Sequence, residues 1–398
     1  MTHANINRYN LYRKKILFLL YSMNIGGVEK AFLGMISQIP LELYEVHVGL
    51  IQEKGGFISY IPKEVNIHKI SIYKKYWKFI NNAPLRNIVF LLKQANFIET
   101  LIHCVLYIHY KLTSNRYWFF KYLLRNEPMM PEQFDMAIVF AGPSQMLDFY
   151  LCEKVNAKVK CGWIHFDMSK FGIDKGMIAK LYKNYNKIFI VSERAKEIFD
   201  RIFPQFKDKT DVFYNIVSPE QVIRLAERGD TYTDNFVGIR ILTVGRISEE
   251  KGQRVAISAM KILINEGNSM KWYFVGDGKD KSYCEQLAMK YGIADKIVFL
   301  GATTNPYGYM KDCDIYVQPS RHEGFCITLA EALCFSNPIV ATNFTGATEQ
   351  LKDRDNAIVT GMDPKDISDG IIRALGFSKT LPAVNKTSDI IKLLSLIY

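Results

Sequence analysis

Short apolar runs alternate with longer amphipathic segments along most of this 398-residue chain, and this alternation constrains its fold most strongly. Buried strands that alternate with helices form parallel sheets whose faces are covered by those helices. The pattern therefore predicts an α/β fold. A chain of this length also indicates two domains rather than one.

The alternation falls into two series on either side of residues 215–219, which resemble an interdomain joint. The first predicted series has strands at residues 15–21, 44–50, 136–140, 159–164, 188–191 and 212–214, and helices at 28–39 and 193–199. The second has strands at residues 239–244, 272–275, 297–300, 315–318, 339–341 and 357–359, and helices at 253–266, 281–291, 325–335 and 364–375. We expect two Rossmann-like, doubly wound domains, residues 1–217 and 218–380, facing each other across a cleft. Residues 381–398 should supply a closing helix at about 386–397 that returns to the first domain.

The net charge of +11 lies in the first half of the chain. Residues 1–217 hold 30 Lys and Arg against 18 Asp and Glu, whereas residues 218–398 hold 21 against 22. A predicted helical insertion at about 68–125 has ten basic residues, thirteen aromatic residues and a single acid, Glu99. Interleaved cations and aromatic rings suit an anionic membrane surface. An ordinary solvated insertion with buried aromatic residues is the alternative, and nucleic-acid binding is disfavoured because no nucleic-acid motif accompanies the charge.

Cysteine usage and hydropathy bear on the compartment. The seven cysteines are scattered without a C-x-x-C pair, which favours a reducing compartment and disfavours a zinc site. The apolar run at residues 16–21 is short for a signal-peptide core, and no stretch of about 18 apolar residues lacks charge. We expect a cytoplasmic protein, peripheral at the inner face of the membrane.

Residues 322–331, with the sequence HEGFCITLAE, place Glu323 and Glu331 eight positions apart after a predicted strand. A helix that starts near Phe325 leaves Glu323 on the preceding loop and puts Glu331 about two turns inside. In that position Glu331 could accept hydrogen bonds from two ribose hydroxyls. The alternative is a pair of carboxylates on an ordinary helix.

Backbone N–H groups at the start of that helix have no intrahelical acceptor and would be free to bind phosphate. They belong to Phe325, Cys326 and Ile327. Two cations, Arg246 and Lys251, follow another strand and could neutralise a diphosphate. The alternative for this pair is two solvent-facing charges in a turn.

Three further strand ends carry candidate residues. Gly26 and Gly27 would let the backbone approach a phosphate, although the full G-x-G-x-x-G pattern is absent and a plain tight turn is the alternative. His165 follows a strand of the first series, where a neutral imidazole could hydrogen-bond a sugar hydroxyl or serve a structural role. Gly301 could lie beside a nucleobase or form a connecting turn.

Taken in order, several of these motifs resemble family 4 of the retaining glycosyltransferases, which have the two-domain GT-B fold. The motifs are Gly245-Arg246 with Lys251-Gly252, then Gly276-Asp277-Gly278, then the Glu-x7-Glu of Glu323 and Glu331. The resemblance is strong over residues 239–360. It is weaker in the first half, where Gly26-Gly27-Val28-Glu29 and Trp163-Ile164-His165 are similar to family positions.

The resemblance implies a role for each candidate residue. Arg246 and Lys251 would hold the donor diphosphate, and Glu331 would bind the ribose. Glu323 would contact the donor sugar near the reacting carbon, and His165 would also touch that sugar. Gly27 would let the first loop close on the phosphates.

The resemblance also implies a metal-independent reaction with no cofactor, and the chain has no Asp-x-Asp metal motif. The expected partners are a nucleotide sugar, most simply a UDP-sugar, and a lipid-linked or polysaccharide acceptor. Two alternatives are a nucleotide-sugar epimerase of the same fold and a non-catalytic, nucleotide-sugar-binding subunit of a polysaccharide-assembly complex.

Overall fold

Seven parallel strands form the first sheet, in the order β3-β2-β1-β4-β5-β6-β7. The computed structural model describes residues 13–170, 172–378 and 389–398. The strands are β1 (Lys14–Leu20), β2 (Tyr44–Leu50), β3 (Asn66–Lys69), β4 (Gln133–Gly142), β5 (Asn156–Ile164), β6 (Lys187–Ile190) and β7 (Thr210–Val212). The strand order reverses direction beside β1, and such a switch point leaves a crevice at the carboxyl ends of the strands.

Six parallel strands form the second sheet, in the order β10-β9-β8-β11-β12-β13. They are β8 (Ile239–Val244), β9 (Met270–Val275), β10 (Ile297–Gly301), β11 (Ile315–Gln318), β12 (Ile339–Thr342) and β13 (Ala357–Thr360). Here the switch point lies between β8 and β11. The two sheets confirm the predicted α/β architecture of two Rossmann-like units.

Helices cover the faces of both sheets. Those of the first unit are Gly27–Ile36, Ile72–Asn81, Pro84–Lys93, Phe97–Thr113, Tyr117–Leu123, Gln145–Lys154, Lys175–Leu181 and Glu193–Ile202. Those that follow are Pro219–Ala226, Gln253–Asn265, Lys281–Lys290, Tyr307–Asp312, Ile327–Ala332, Ala347–Leu351, Pro364–Ala374 and Ile391–Leu394.

The central strands are buried on both faces, which explains why they appear in the sequence as continuous apolar runs. Every residue from Ile16 to Leu20 in β1 is at most 1% exposed. The apolar pattern does not predict strand β3, because this strand lies at a sheet edge and its sequence, Asn-Ile-His-Lys, is mostly polar and exposed. Such an edge strand needs no apolar run.

The insertion after β3 is helical, as predicted. It contributes four consecutive helices, from Ile72–Asn81 to Tyr117–Leu123, before the chain returns to the sheet at β4. None of the helices in the described part of the chain is both long enough and apolar enough to span a membrane.

The end of the chain packs on the first unit. The ammonium group of Lys392 lies 3.0 Å from the Asp211 carboxylate and donates to the carbonyl of Val212 at 2.7 Å. The hydroxyls of Tyr398 and Tyr44 lie 3.5 Å apart. The helix Ile391–Leu394 is much shorter than the predicted 386–397, and residues 381–388 of the predicted closing segment lie outside the described residues.

Candidate active site

The carboxyl ends of the central strands of both sheets meet at one cleft. Strand β1 leads into Gly27, β5 leads into His165, and β11 leads into Glu323. A Cβ atom placed on Gly27 would lie 3.5 Å from the side chain of Ile327, so the first loop of one unit contacts the helix start of the other. The topology therefore gathers predicted residues that are far apart in sequence.

Glu331 is held by a cation from the opposite unit. The ammonium group of Lys30 lies 2.7 Å from one carboxylate oxygen of Glu331, and the Tyr307 hydroxyl donates to the same oxygen at 2.8 Å. The residue is only 2% exposed, and its second carboxylate oxygen is buried with no hydrogen-bond partner among the described residues. A buried acceptor without a donor is costly, and a ligand hydroxyl would satisfy it.

Glu323 and Lys251 form an ion pair within the second unit. Their charged atoms lie 2.5 Å apart, and Ser320 donates to the same carboxylate oxygen at 2.9 Å. Burial acts to lower the pKa of Lys251, but the adjacent Glu323 carboxylate and Cys326 together oppose burial, and the pKa is raised above its ordinary value. Lys251 is therefore a cation at neutral pH. The resemblance implies separate roles for these two residues, whereas the structure shows that they contact each other.

The glycine after Lys251 makes this arrangement possible. Gly252 has a φ of +77°, and a Cβ atom there would lie 1.8 Å from the carbonyl oxygen of Pro319. A side chain would therefore push the Lys251 loop away from the strand end that leads to Glu323.

Arg246 occupies a different environment from Lys251. Its guanidinium is exposed and lies 3.1 Å from Glu250. Burial raises the pKa of Glu29 on the first helix, and the positive charge of Arg246 opposes that rise. Arg246 thus belongs to the exposed mouth of the cleft, near Glu29, whereas Lys251 lies deeper.

The loop between Glu323 and the following helix is held against the first unit. A Cβ atom on Gly324 would lie 2.1 Å from the carbonyl oxygen of His165, and the Ser192 hydroxyl donates to the Gly324 carbonyl at 2.9 Å. Only glycine permits so close an approach between the two units. Gly324 belongs to the HEGFCITLAE segment, but the sequence does not predict a role for it.

The helix after this loop starts later than predicted. It covers Ile327–Ala332, and Cys326 precedes it with a left-handed φ of 71°, which prevents a helix from starting at Phe325. Glu331 is consequently only the fifth helical residue rather than two turns inside. No described residue accepts a hydrogen bond from the backbone N–H of Phe325, Cys326 or Ile327, so these donors remain available to an anion.

His165 is a neutral hydrogen-bonding group at the end of β5. Burial lowers its pKa to about 3, although a bond to the carbonyl of Phe140 opposes this shift. The Phe140 ring lies 4.8 Å from the imidazole, and the His165 Nε2 atom is buried without a partner among the described residues. A neutral imidazole with a free nitrogen can hydrogen-bond a sugar hydroxyl.

Gly301 ends β10 with a φ of +81°, and a Cβ atom there would meet no atom within 4 Å. Its carbonyl accepts a hydrogen bond from the Gly276 N–H at 2.8 Å. The left-handed conformation favours glycine, and the open space beside it can accept a ligand group.

Additional bonds between the units were not predicted. Glu349 accepts hydrogen bonds from the backbone N–H groups of Glu193 and Arg194 at 3.0 and 2.9 Å, which satisfies the first turn of a helix in the opposite unit. Thr345 donates to Asp167 at 3.2 Å. The sequence contains no signal for these partners, because each residue occurs in a segment that looks like an ordinary turn or helix.

No cluster of three or more His, Cys, Asp or Glu side chains suited to a metal ion occurs within residues 13–170, 172–378 and 389–398. The expectation of a metal-independent reaction remains a prediction.

Part of the chain that carries this site matches a known family. Residues 238–386 match the family described as glycosyl transferases group 1. An uncharacterised glycosyltransferase of Methanocaldococcus jannaschii is 31% identical over 54% of this chain and 57% of its own length. An N-acetylgalactosaminyltransferase of Campylobacter jejuni, whose name gives a diphospho-undecaprenol-linked sugar as its substrate, is 24% identical over 88% of this chain and 87% of its own. The matches to the first two curated relatives span only 57% and 47% of those proteins.

Solved structures share the fold. HepE of Anabaena, in complex with UDP and glucose, superposes with a TM-score of 0.63 at 18% identity, covering 92% of this chain and 90% of that one. TarM of Staphylococcus aureus also gives 0.63, at 12% identity, covering 92% of both chains. Both sheets and their facing cleft are thus those of the GT-B fold, and residues 238–386 are a domain of the group 1 glycosyltransferase family.

Proposed function

We propose that this protein transfers a sugar, with retention of configuration, from a UDP-sugar to a lipid-linked or polysaccharide acceptor in cell-surface glycan biosynthesis. The observation that carries the proposal is the meeting of Lys251, Glu323, Glu331 and His165 in one cleft between the two units. Each supplies a group that a nucleotide diphosphate sugar requires: a cation, carboxylates and a neutral hydrogen-bonding ring.

The second unit would bind the nucleotide. Glu331 has one buried carboxylate oxygen that has no partner in the described part of the chain and could accept a ribose hydroxyl. Lys251 in the cleft, Arg246 at its mouth and the N–H groups before Ile327 would share the diphosphate charge. Gly301 leaves space for the base. UDP as the carrier is supported by the complexes of HepE with UDP and UDP-glucose.

Catalysis would consist mainly of stabilising the charge that develops on the departing diphosphate. Lys251 and the N–H groups are fixed before the reaction begins, so little free energy is needed to reorient them as that charge appears. The bonds from Lys251 and Ser320 orient the Glu323 carboxylate, which would lie beside the donor sugar. His165 would position a sugar hydroxyl through its free nitrogen. We do not assign Glu323 as a covalent nucleophile.

The acceptor would approach from the first unit. The Campylobacter relative is named for a sugar linked to diphospho-undecaprenol, and another relative, from Staphylococcus aureus, is a poly(ribitol-phosphate) α-N-acetylglucosaminyltransferase. Together with the excess positive charge of residues 1–217, these names support an anionic acceptor and a place at the cytoplasmic face of a membrane.

A two-step experiment tests the proposal. Thermal-shift measurements with a panel of nucleotide sugars identify the donor, because a ligand that binds only the native state raises the melting temperature. UDP release is then measured with and without lipid-linked acceptors. We expect release to depend on an acceptor, to fall in Glu323→Gln, and to persist in Glu266→Gln, a control on an exposed carboxylate that also pairs with a lysine.

Two outcomes would indicate a different function for this protein. Conversion of the sugar without an acceptor would indicate an epimerase. Donor binding with no turnover on any acceptor would indicate a binding subunit.

A further inference from the structure

The helix Phe97–Thr113 turns a purely apolar side to solvent. Six apolar residues of this helix are each 57–81% exposed: Phe97, Ile98, Leu101, Val105, Ile108 and Leu112. From Ile98 onward they recur at intervals of three and four, which places them on one side of an α-helix. Solvent-exposed helices normally show polar residues there.

The neighbouring helix Pro84–Lys93 extends this surface. It packs beside Phe97–Thr113 and exposes Leu85, Val89 and Leu92, each 48–55% accessible, at intervals of four and three. We call these nine residues the two-helix apolar face. Contiguous apolar surfaces of this kind on a soluble domain mark interaction sites.

The helix is anchored by its opposite side, so its exposure is not a sign of detachment. His103 is buried, donates a hydrogen bond from Nδ1 to the carbonyl of Glu99 at 2.9 Å, and packs edge to face against Phe119 and Tyr122. Three of the aromatic residues that the sequence associates with a membrane are buried, namely Tyr117, Phe119 and Phe120. Apart from Phe97, the outer side is aliphatic.

The helices that form the apolar face, and the helix after them, also carry exposed cations. The exposed basic residues of the two helices and the next one are Arg86, Lys93, Lys111 and Lys121. The single acid of residues 68–125, Glu99, is paired with Arg125 at 3.2 Å and accepts from Tyr122 at 2.8 Å. A second copy of this chain would bring like charges together, whereas anionic headgroups would neutralise them.

We infer that the two-helix apolar face docks into the surface of an anionic lipid bilayer, with both helices lying in the interfacial plane. Aliphatic side chains would enter the acyl boundary while the exposed lysines and Arg86 contact headgroup phosphates. The face lies on different helices of the insertion from Ile72–Asn81, which carries Lys75. Lys75 is already paired with Glu127.

This docking would bring the cleft to the lipid. The C-terminal end of Phe97–Thr113 abuts the segment that follows His165: the backbone N–H of Arg116 donates to Asp174 at 2.7 Å, and a Cβ atom on Gly176 would lie 3.0 Å from Asn115. A bilayer against the face would therefore lie near the first-unit side of the cleft. This step rests on the proposed transfer to a lipid-linked acceptor.

Co-sedimentation with vesicles tests the inference. The full-length protein is mixed with vesicles of phosphatidylglycerol and phosphatidylcholine or of phosphatidylcholine alone, at fixed salt. We expect binding to the anionic vesicles, and a drop in the partition coefficient of roughly tenfold or more in the variant Leu101→Ser/Val105→Ser/Ile108→Ser. The control Val237→Ser/Met289→Ser, on exposed apolar residues of the second unit, should bind as the wild type does.

A second variant, Lys93→Glu/Lys111→Glu, keeps the apolar face and should lose the preference for anionic vesicles. Melting temperatures establish that each variant is folded, and donor-induced thermal shifts, which need no lipid, report on the active site independently. Unchanged vesicle binding by both variants would overturn the inference while leaving the transfer function intact. Sedimentation equilibrium that shows a wild-type dimer abolished by the serine substitutions, without lipid binding, would assign the face to self-association instead.

Discussion

Lys30 and Glu331 join the two units of the protein through charged atoms 2.7 Å apart, one from each side of the cleft. The same carboxylate accepts a hydrogen bond from Tyr307, and its second oxygen has no partner among the described residues. The pair therefore links the relative position of the units to the residue proposed to hold the donor ribose.

Lys30→Met should weaken donor binding and loosen the contact between the units. It leaves the Glu331 carboxylate buried with only Tyr307 as a partner, which is strongly unfavourable. We expect a donor KM raised about 10-fold to 100-fold, because charged hydrogen bonds contribute about 1.5–3 kcal/mol. Glu331→Gln should have a similar effect, and the double variant should be less impaired than the sum of the two. Additive losses in this double-mutant cycle would contradict the coupling.

Gly324→Ala should impair transfer by separating the units at the centre of the cleft. The added Cβ atom would lie 2.1 Å from the His165 carbonyl oxygen, a distance that neither backbone can accommodate without moving. Because a displacement of about 1 Å can cost about 100-fold in rate, we expect kcat/KM to fall by at least that order. Gly172→Ala is the matched control, since its Cβ atom would meet nothing within 4 Å. Equal activity of the two variants would show that the close approach is unimportant.

The fold is largely predictable from sequence because buried parallel strands require continuous apolar runs. Strands β2, β8 and β11 begin and end where the pattern places them. The exceptions have local causes. Strand β3 is a polar sheet edge, and the helix at Ile327 is delayed by the left-handed backbone of Cys326, which no residue preference signals.

The site is less predictable because its geometry depends on contacts between the two units. Sequence spacing places Glu323 and Glu331 near one cleft but contains no information on their partners. Lys30 directly follows the Gly26-Gly27-Val28-Glu29 motif, so the sequence indicates that this lysine lies near the loop expected to approach a phosphate. The pairing of Lys251 with Glu323 could have been anticipated only by knowing that β8 and β11 are adjacent.

Lys251→Met should lower kcat more than it changes donor binding. The substitution removes the cation proposed to stabilise the leaving diphosphate and also breaks the ion pair with Glu323, whose bond to Ser320 remains. Loss of one such group typically costs about 100-fold to 1,000-fold in kcat. Lys365→Met is the control, because that exposed lysine also forms ion pairs, with Glu266 and Asp369, away from the cleft. A normal kcat in Lys251→Met would remove this residue from the catalytic set.

His165 should make the protein less stable as the pH falls below about 6.5. The unfolded state binds a proton near the ordinary histidine pKa, whereas the folded state stays neutral until about pH 3, so acid favours unfolding throughout that window. The loss is at most about 1.4 kcal/mol per pH unit, or about 2 kcal/mol between pH 7 and pH 5. Asp148 acts in the opposite direction, since burial raises its pKa to about 7 and its protonation stabilises the folded state as the pH falls. The contribution of His165 is therefore measured as the difference in stability between the wild type and a His165 variant, because Asp148 is present in both.

Urea denaturation at pH 7, 6 and 5 measures that difference. His165→Gln can still donate to the Phe140 carbonyl but does not titrate, so its free energy of unfolding should fall less steeply with acid than that of the wild type. His322→Gln, on an exposed histidine beside Glu323, should follow the wild-type curve. If His165→Gln also follows it, His165 is accessible enough to protonate in the folded state, and its proposed role as a neutral partner of the donor sugar fails.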